Sequence, residues 1–172
     1  MANCSTAFGT VKVEAKDRAL AKKIATLVNE ISSGFCYYIS FDVENGTEPT
    51  DNSFECLFTA CGRWNVENNI ENLGHSIKNS SEKCKDIIDE LERHEFTMTF
   101  DYTDEEGGAP FICQGTDRII HKSNTPIETM IFEQGDYEDF DYNVDNLINI
   151  CGYDRAEALN LCGMDEEDKE VA

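Results

Sequence analysis

Hydrophobic and polar positions alternate in some parts of the chain and recur with helical spacing in others. Residues 8–15 alternate apolar and polar side chains, which is typical of a half-buried strand. From Leu20 to Ile31 the apolar residues recur every three to four positions, which predicts an amphipathic helix. Residues 35–44 and 54–61 are rich in aromatic and β-branched side chains and predict two more strands.

The same patterns continue into the second half of the chain. A capping-box sequence at Asn79 and an apolar face that follows it predict a second helix over residues 80–94. Strict alternation over residues 96–102 predicts a fourth strand. Shorter segments are compatible with further strands at 111–113, 118–121 and 128–132 and with two short helices at 144–151 and 154–162.

The order of these elements predicts the fold class. Strand, helix, strand, strand, helix, strand is the order of an α+β, ferredoxin-like split βαβ fold, with an antiparallel sheet and two helices on one face. A Rossmann fold needs strictly alternating elements and a glycine fingerprint, and the sequence has neither. We therefore expect a ferredoxin-like domain over residues 1–132, with an acidic C-terminal extension over residues 133–172 docked on it through two short helices.

Charge restricts the class of partner. The chain of 172 residues has a formal net charge of −21, well above the magnitude of about 2–8 that suffices for the solubility of a small domain. Residues 101–172 contain 19 acidic and only 4 basic residues, so the acidity is concentrated in the C-terminal part. Such a charge repels nucleic acids and anionic membranes, and it attracts basic protein surfaces. We expect neither direct nucleic-acid binding nor membrane binding.

The eight cysteines do not predict a disulfide framework. None of them forms a C-x-x-C pair, and most lie within apolar segments. The N-terminus has no basic flank or apolar segment of secretory length, and no run approaches the roughly 18 apolar residues of a membrane span. We therefore expect a cytoplasmic protein, located in the host cytoplasm if it is phage-encoded, whose cysteines serve as small apolar residues.

Residues 133–145, called here the acidic stretch, are the main candidate for a functional site. They contain six carboxylates with three aromatic rings between them and no lysine or arginine. One interpretation is a solvated loop, and the other is a surface that replaces phosphates and bases in a basic groove. The candidate partner-binding residues are Glu133, Asp136, Glu138, Asp139, Asp141 and Asp145, helped by Asp104, Glu105 and Glu106 of a predicted acidic turn, with aromatic contacts from Tyr137, Phe140 and Tyr142.

Metal binding and catalysis find little support in the sequence. Alternate acidic and amide side chains from Asp139 to Asp145 resemble the start of an EF-hand loop, but the sixth and twelfth positions are Val144 and Ile150 instead of glycine and glutamate. The three histidines are scattered, and no nucleophile elbow, phosphate loop or zinc-protease motif occurs. We therefore assign no catalytic residue, no metal ligand and no cofactor.

Residues 54–108 resemble a known group of proteins. The segment from Phe54 to Trp64, a helix, the sequence Phe100-Asp-Tyr102 and an acidic turn ending at Gly107 are similar to the ferredoxin-like domain of certain phage- and plasmid-borne proteins of unassigned function. The resemblance implies the fold and an origin in a mobile element, and it implies no catalytic residue. In composition the chain is similar to acidic mobile-element inhibitors of CRISPR and restriction enzymes, which act as DNA mimics.

These observations favour a non-enzymatic inhibitor that binds the basic nucleic-acid-binding groove of a larger protein, for example a CRISPR or restriction nuclease. Two alternatives remain open at this point. One is an enzyme with a carboxylate-lined or metal-assisted site, and the other is an acidic adaptor subunit. The sequence does not predict the oligomeric state.

Overall fold

The computed structural model describes residues 4–63, 65–80, 82–106 and 110–164. Six strands form one sheet in the order β2-β3-β1-β4-β5-β6, and every pair is antiparallel. The strands are β1 (Cys4–Glu14), β2 (Ile39–Phe41), β3 (Ser53–Arg63), β4 (Phe96–Glu106), β5 (Phe111–His121) and β6 (Ile131–Phe140).

Six helices accompany the sheet. They are α1 (Arg18–Ser32), α2 (Val66–Glu71), α3 (Leu73–Lys78), α4 (Lys85–Glu92), α5 (Val144–Asn149) and α6 (Arg155–Leu161), with 3-10 turns at Glu82–Cys84 and Ile127–Thr129. Helix α1 begins after Asp17, whose side chain accepts a hydrogen bond of 2.9 Å from the backbone of Leu20. Within the described residues, no helix combines the length and the apolar character needed to cross a bilayer.

The main hydrophobic core lies on one face of the sheet. Side chains alternate between the two faces of a strand, and one set is buried beneath α1, α2 and α3; we call this side the helix-covered face. Phe58 of β3 and Phe100 of β4 meet there edge to face, with their ring centroids 5.4 Å apart. The opposite side, called the open face, carries many threonines and charged residues.

A smaller core lies on the open face at one end of the sheet. Helices α5 and α6, together called the C-terminal helix pair, pack against each other and bury Ile112 of β5 with Leu147 and Ala158. Tyr153 donates a hydrogen bond of 2.8 Å from its hydroxyl to Oε1 of Glu105 on β4. The C-terminal helix pair is therefore anchored by apolar contact and by a hydrogen bond to a carboxylate.

The predicted ferredoxin-like fold with two helices on one face is wrong. The sheet has six strands, and the helices are short and mostly flank it. The predicted second helix is present as α4, but two further helices, α2 and α3, precede it where no helix was predicted, and the C-terminal helix pair lies on the opposite face of the sheet.

Two local features explain the extra strands. Gly115 does not separate two short strands, because β5 continues through it as one strand of 11 residues. The acidic stretch supplies most of the sixth strand, although its polar sequence lacks the apolar alternation of a half-buried strand. The predicted domain boundary between residues 132 and 133 consequently falls inside β6.

The packing of the C-terminal helix pair can be tested with two leucines. Leu147 is fully buried, whereas Leu161 is 40% exposed. We expect Leu147→Ala to lower the free energy of unfolding by about 2–4 kcal/mol, because it leaves a cavity over Ile112. Leu161→Ala should cost less than about 1 kcal/mol, since that side chain already contacts water. Urea denaturation measures both, and equal losses would contradict this packing.

Candidate functional site: an acidic edge strand

The acidic stretch lies at the edge of the sheet. Its first eight residues belong to β6, which pairs only with β5 among the described strands. Glu133, Asp136, Glu138 and Asp139 are all exposed on this strand. Asp141 and Asp145 are also exposed, in the loop after β6 and in the first turn of α5. All six predicted carboxylates of the acidic stretch therefore reach solvent.

Register and alternation distribute these carboxylates over both sides of the strand. Glu138 aligns with Gln114 of β5 on the open face, and Asp139 aligns with Cys113 on the helix-covered face. A register shift opposite Gly115 to Asp117 inserts one extra residue into β6. Glu133 aligns with Arg118 and Asp139 with Cys113, five residues apart on β5, so at a rise of about 3.4 Å per residue they lie about 17 Å apart along the edge.

Few cations neutralise this edge. Arg118 of β5 lies 3.6 Å from Glu133, in a half-exposed pair that contributes little stability. In the part of the chain that the structure describes, no lysine or arginine is within ion-pair distance of the other five carboxylates. Tyr137 donates a hydrogen bond of 2.7 Å to Asp139. The pKa of Tyr137 is raised, mainly because its hydroxyl is buried and secondly because it lies beside the Asp139 carboxylate.

A buried carboxylate holds the edge strand in place. Asp117 of β5 is 1% exposed, and its Oδ2 accepts a hydrogen bond of 2.9 Å from the hydroxyl of Tyr102 on β4. The backbone N–H of Gly135, in the irregular part of β6, is near enough to lower the pKa of this carboxyl. Burial raises the pKa of Asp117, and the Tyr102 hydrogen bond opposes that rise.

Gly115 makes this arrangement possible. A Cβ atom at Gly115 would lie 2.5 Å from the hydroxyl oxygen of Tyr102, too close for any side chain. The absence of a side chain lets the Tyr102 ring cross β5 and reach Asp117. One glycine, one tyrosine and one aspartate thus join β4 and β5 at the point where the neighbouring edge strand is irregular.

A groove of about 730 Å³ runs beside the acidic edge, and β1, β4, β5 and β6 all contribute to it. Its lining includes Phe8, Asp101, Gln114, Thr116, Asp136 and Glu138. Asp101 accepts a hydrogen bond of 2.6 Å from the Thr116 hydroxyl. The groove therefore contains three carboxylates, Asp136 and Glu138 from β6 and Asp101 from β4, beside the aromatic ring of Phe8.

The three carboxylates of the predicted acidic turn occupy a different environment. Asp104, Glu105 and Glu106 belong to β4 and are only 0%, 8% and 4% exposed. Asp104 accepts a hydrogen bond of 2.7 Å from the backbone N–H of Val66, at the start of α2. Burial raises the pKa of Asp104 to about 6, against the effect of that hydrogen bond. The structure therefore does not place these three side chains on the surface with the β6 carboxylates.

The predicted aromatic contacts also divide into two groups. Tyr137 is 45% exposed on β6 and is open to a partner. Phe140 and Tyr142 are partly buried and pack against the small core of the C-terminal helix pair. Two other residues of interest in the sequence, Trp64 and Gly107, lie outside the described residues.

The residues that resemble an EF-hand loop instead lead into helix α5 and cap its start. The side chain of Asn143 accepts a hydrogen bond of 2.8 Å from the backbone N–H of Asn146, which caps α5. Within residues 4–63, 65–80, 82–106 and 110–164, no group of three or more histidine, cysteine or acidic side chains is arranged to hold a metal ion.

Sequence patterns did not reveal Asp117 or the groove residues Phe8 and Thr116. The burial of Asp117 follows if residues 111–121 are taken as one strand, because Asp117 then points to the same face of β5 as Gly115 and Ile119. Comparisons with protein-family models, curated proteins and solved structures find no match for this chain. The similarity to phage- and plasmid-borne proteins stays a prediction.

Burial of Asp104 predicts an unusual dependence of stability on pH. Its carboxyl has a pKa of about 6 in the folded state, against 3.8 ordinarily, so the folded state binds the proton first as pH falls. The free energy of unfolding should therefore gain about 1 kcal/mol from this group between pH 7 and pH 5. The raised pKa values of Glu67 and Asp117 act in the same direction.

Urea denaturation of wild type and Asp104→Asn at the two pH values measures this contribution. The variant should lack it, because the amide does not titrate. Asp139→Asn, at an exposed carboxylate, serves as the control and should keep the wild-type pH dependence. An unchanged pH dependence in Asp104→Asn would show that Asp104 titrates normally.

The Tyr102 hydrogen bond predicts a difference between two Tyr→Phe variants. Tyr102→Phe removes a donor from a buried carboxylate, and we expect a loss of about 1–3 kcal/mol in the free energy of unfolding. Tyr137→Phe removes a donor from the exposed Asp139, which water can replace, so its cost should stay below about 1 kcal/mol. Equal costs in urea denaturation would contradict the role given to Asp117.

Proposed function

We propose that this protein is a non-enzymatic inhibitor that binds the basic nucleic-acid-binding groove of a larger protein through β6. The observation that carries the proposal is the exposed edge strand, whose carboxylates mostly lack a cationic neighbour among the described residues. Neighbouring carboxylates without counter-charges repel one another, so a partner rich in arginine and lysine relieves that repulsion on binding.

The spacing of the charges supports mimicry of one nucleic-acid strand. Four carboxylates lie on β6 from Glu133 to Asp139, over about 17 Å. A single strand of DNA carries roughly five phosphates over that length, since its charges are about 3.4 Å apart along the axis. The edge thus has about four fifths of the charge density of one DNA strand, and Asp101 in the adjacent groove adds to it.

Tyr137 adds a second element of mimicry. Its side chain is 45% exposed and lies beside Asp139, to which its hydroxyl donates a hydrogen bond. Grooves that hold single-stranded nucleic acids combine positive charge with side chains that stack on bases, and an exposed tyrosine presents a flat face for the same contact. A nuclease of a CRISPR or restriction system has such a groove, and the cytoplasm is where the two proteins would meet.

Binding should depend on the β6 charges themselves. The variant Asp136→Asn, Glu138→Gln, Asp139→Asn keeps the size of each side chain and removes three charges from the edge. We expect it to bind its basic partner about tenfold more weakly at low salt, because each exposed charge contributes up to about 1 kcal/mol. The measurement is capture from a nuclease-treated lysate of the host cell, followed by affinity measurement on the captured protein at two salt concentrations.

A matched control distinguishes the effect of the β6 charges from the effect of the net charge of the protein. Glu30→Gln, Glu44→Gln, Asp89→Asn removes the same three charges from exposed positions outside β5 and β6. This control should retain most of the affinity of the wild type. Equal weakening by both triple variants would show that net charge alone attracts the partner, and unchanged affinity in the β6 variant would exclude β6 as the binding surface.

A further inference from the structure

The outer edge of β6 is an unoccupied strand position. Beyond the described pairing with β5, no backbone hydrogen bond joins residues 131–140 to another described segment. Eight of the ten residues of β6 are exposed, so none of the described helices covers it. The opposite edge of the sheet, β2, has only three residues. The long edge is therefore the one that can accept another strand.

β6 is protected against pairing with some strands but not with others. Proteins block edge strands with proline, lysine, short length, bulges or a covering element. β6 contains neither proline nor lysine, and its irregularity at Gly135 leaves regular pairing over Tyr137–Phe140 and Ile131–Gln134. The remaining protection is the negative charge of β6, which repels acidic strands and attracts basic ones.

Charge decides which strand fits. A second copy of this chain is disfavoured, because pairing β6 with β6 places four carboxylates of one copy beside four of the other. A segment rich in lysine and arginine experiences the opposite force. We infer that the outer edge of β6 accepts an extended basic segment of the partner protein as a seventh strand, by backbone hydrogen bonding between the two chains.

Alternation in β6 specifies the segment further. Glu138 and Asp139 are consecutive and point to opposite faces of the sheet. A strand that pairs beside them meets a carboxylate on each face, so it needs basic side chains at adjacent positions and not only at alternate ones. This inference rests on the proposed function, because it assumes that β6 faces a basic partner.

Two synthetic peptides test the inference. One is a ten-residue peptide in which pairs of lysines alternate with pairs of threonines, and the other is the same peptide N-methylated at four positions, two on each edge. N-methylation keeps every side chain and charge but removes backbone donors. We expect the unmodified peptide to bind at least tenfold more tightly, and to protect the backbone amides of β6 from hydrogen exchange.

The possible outcomes distinguish this inference from the proposed function. Equal binding of both peptides, or protection that avoids β6, would overturn strand addition and leave charge-based recognition intact. The inference would also fail if neither peptide bound while the captured basic partner still bound through the β6 carboxylates. If that partner did not depend on β6 either, the proposed function itself would fall.

Discussion

The hydrogen bond from Tyr102 to Asp117 is the interaction on which the acidic edge depends. Asp117 is buried, and a buried carboxylate without donors is costly. Its hydrogen-bond donor is Tyr102 of β4, and the backbone N–H of Gly135 in β6 lies near enough to lower its pKa, so this one side chain interacts with both neighbouring strands. Gly115 is required because any side chain there would collide with Tyr102.

The acidic residues of this protein divide into two populations with different physical roles. Asp104 and Asp117 are buried, carry raised pKa values and accept hydrogen bonds within the fold. The carboxylates of β6 are exposed and mostly lack cations among the described residues. Composition alone counts both populations equally, and only the structure separates the charges that support the sheet from those available to a partner.

Periodicity predicted the elements that bury one regular face. The helix from Leu20 to Ile31 and the alternating strand that begins at Phe96 are present as α1 and β4. β6 was missed as a continuous strand because an edge strand exposed on both sides needs no apolar alternation. The burial of Asp104 was also missed, since runs of acids are usually solvated. Both errors arise from tertiary contacts that no local pattern records.

Competition with DNA tests the central claim most directly. The affinity of this protein for its captured basic partner should be measured at fixed ionic strength with increasing concentrations of duplex DNA. If β6 occupies the nucleic-acid groove, the apparent Kd rises in proportion to DNA concentration, and no complex contains all three molecules. A stable complex of partner, DNA and this protein, with unchanged affinity, would contradict the account.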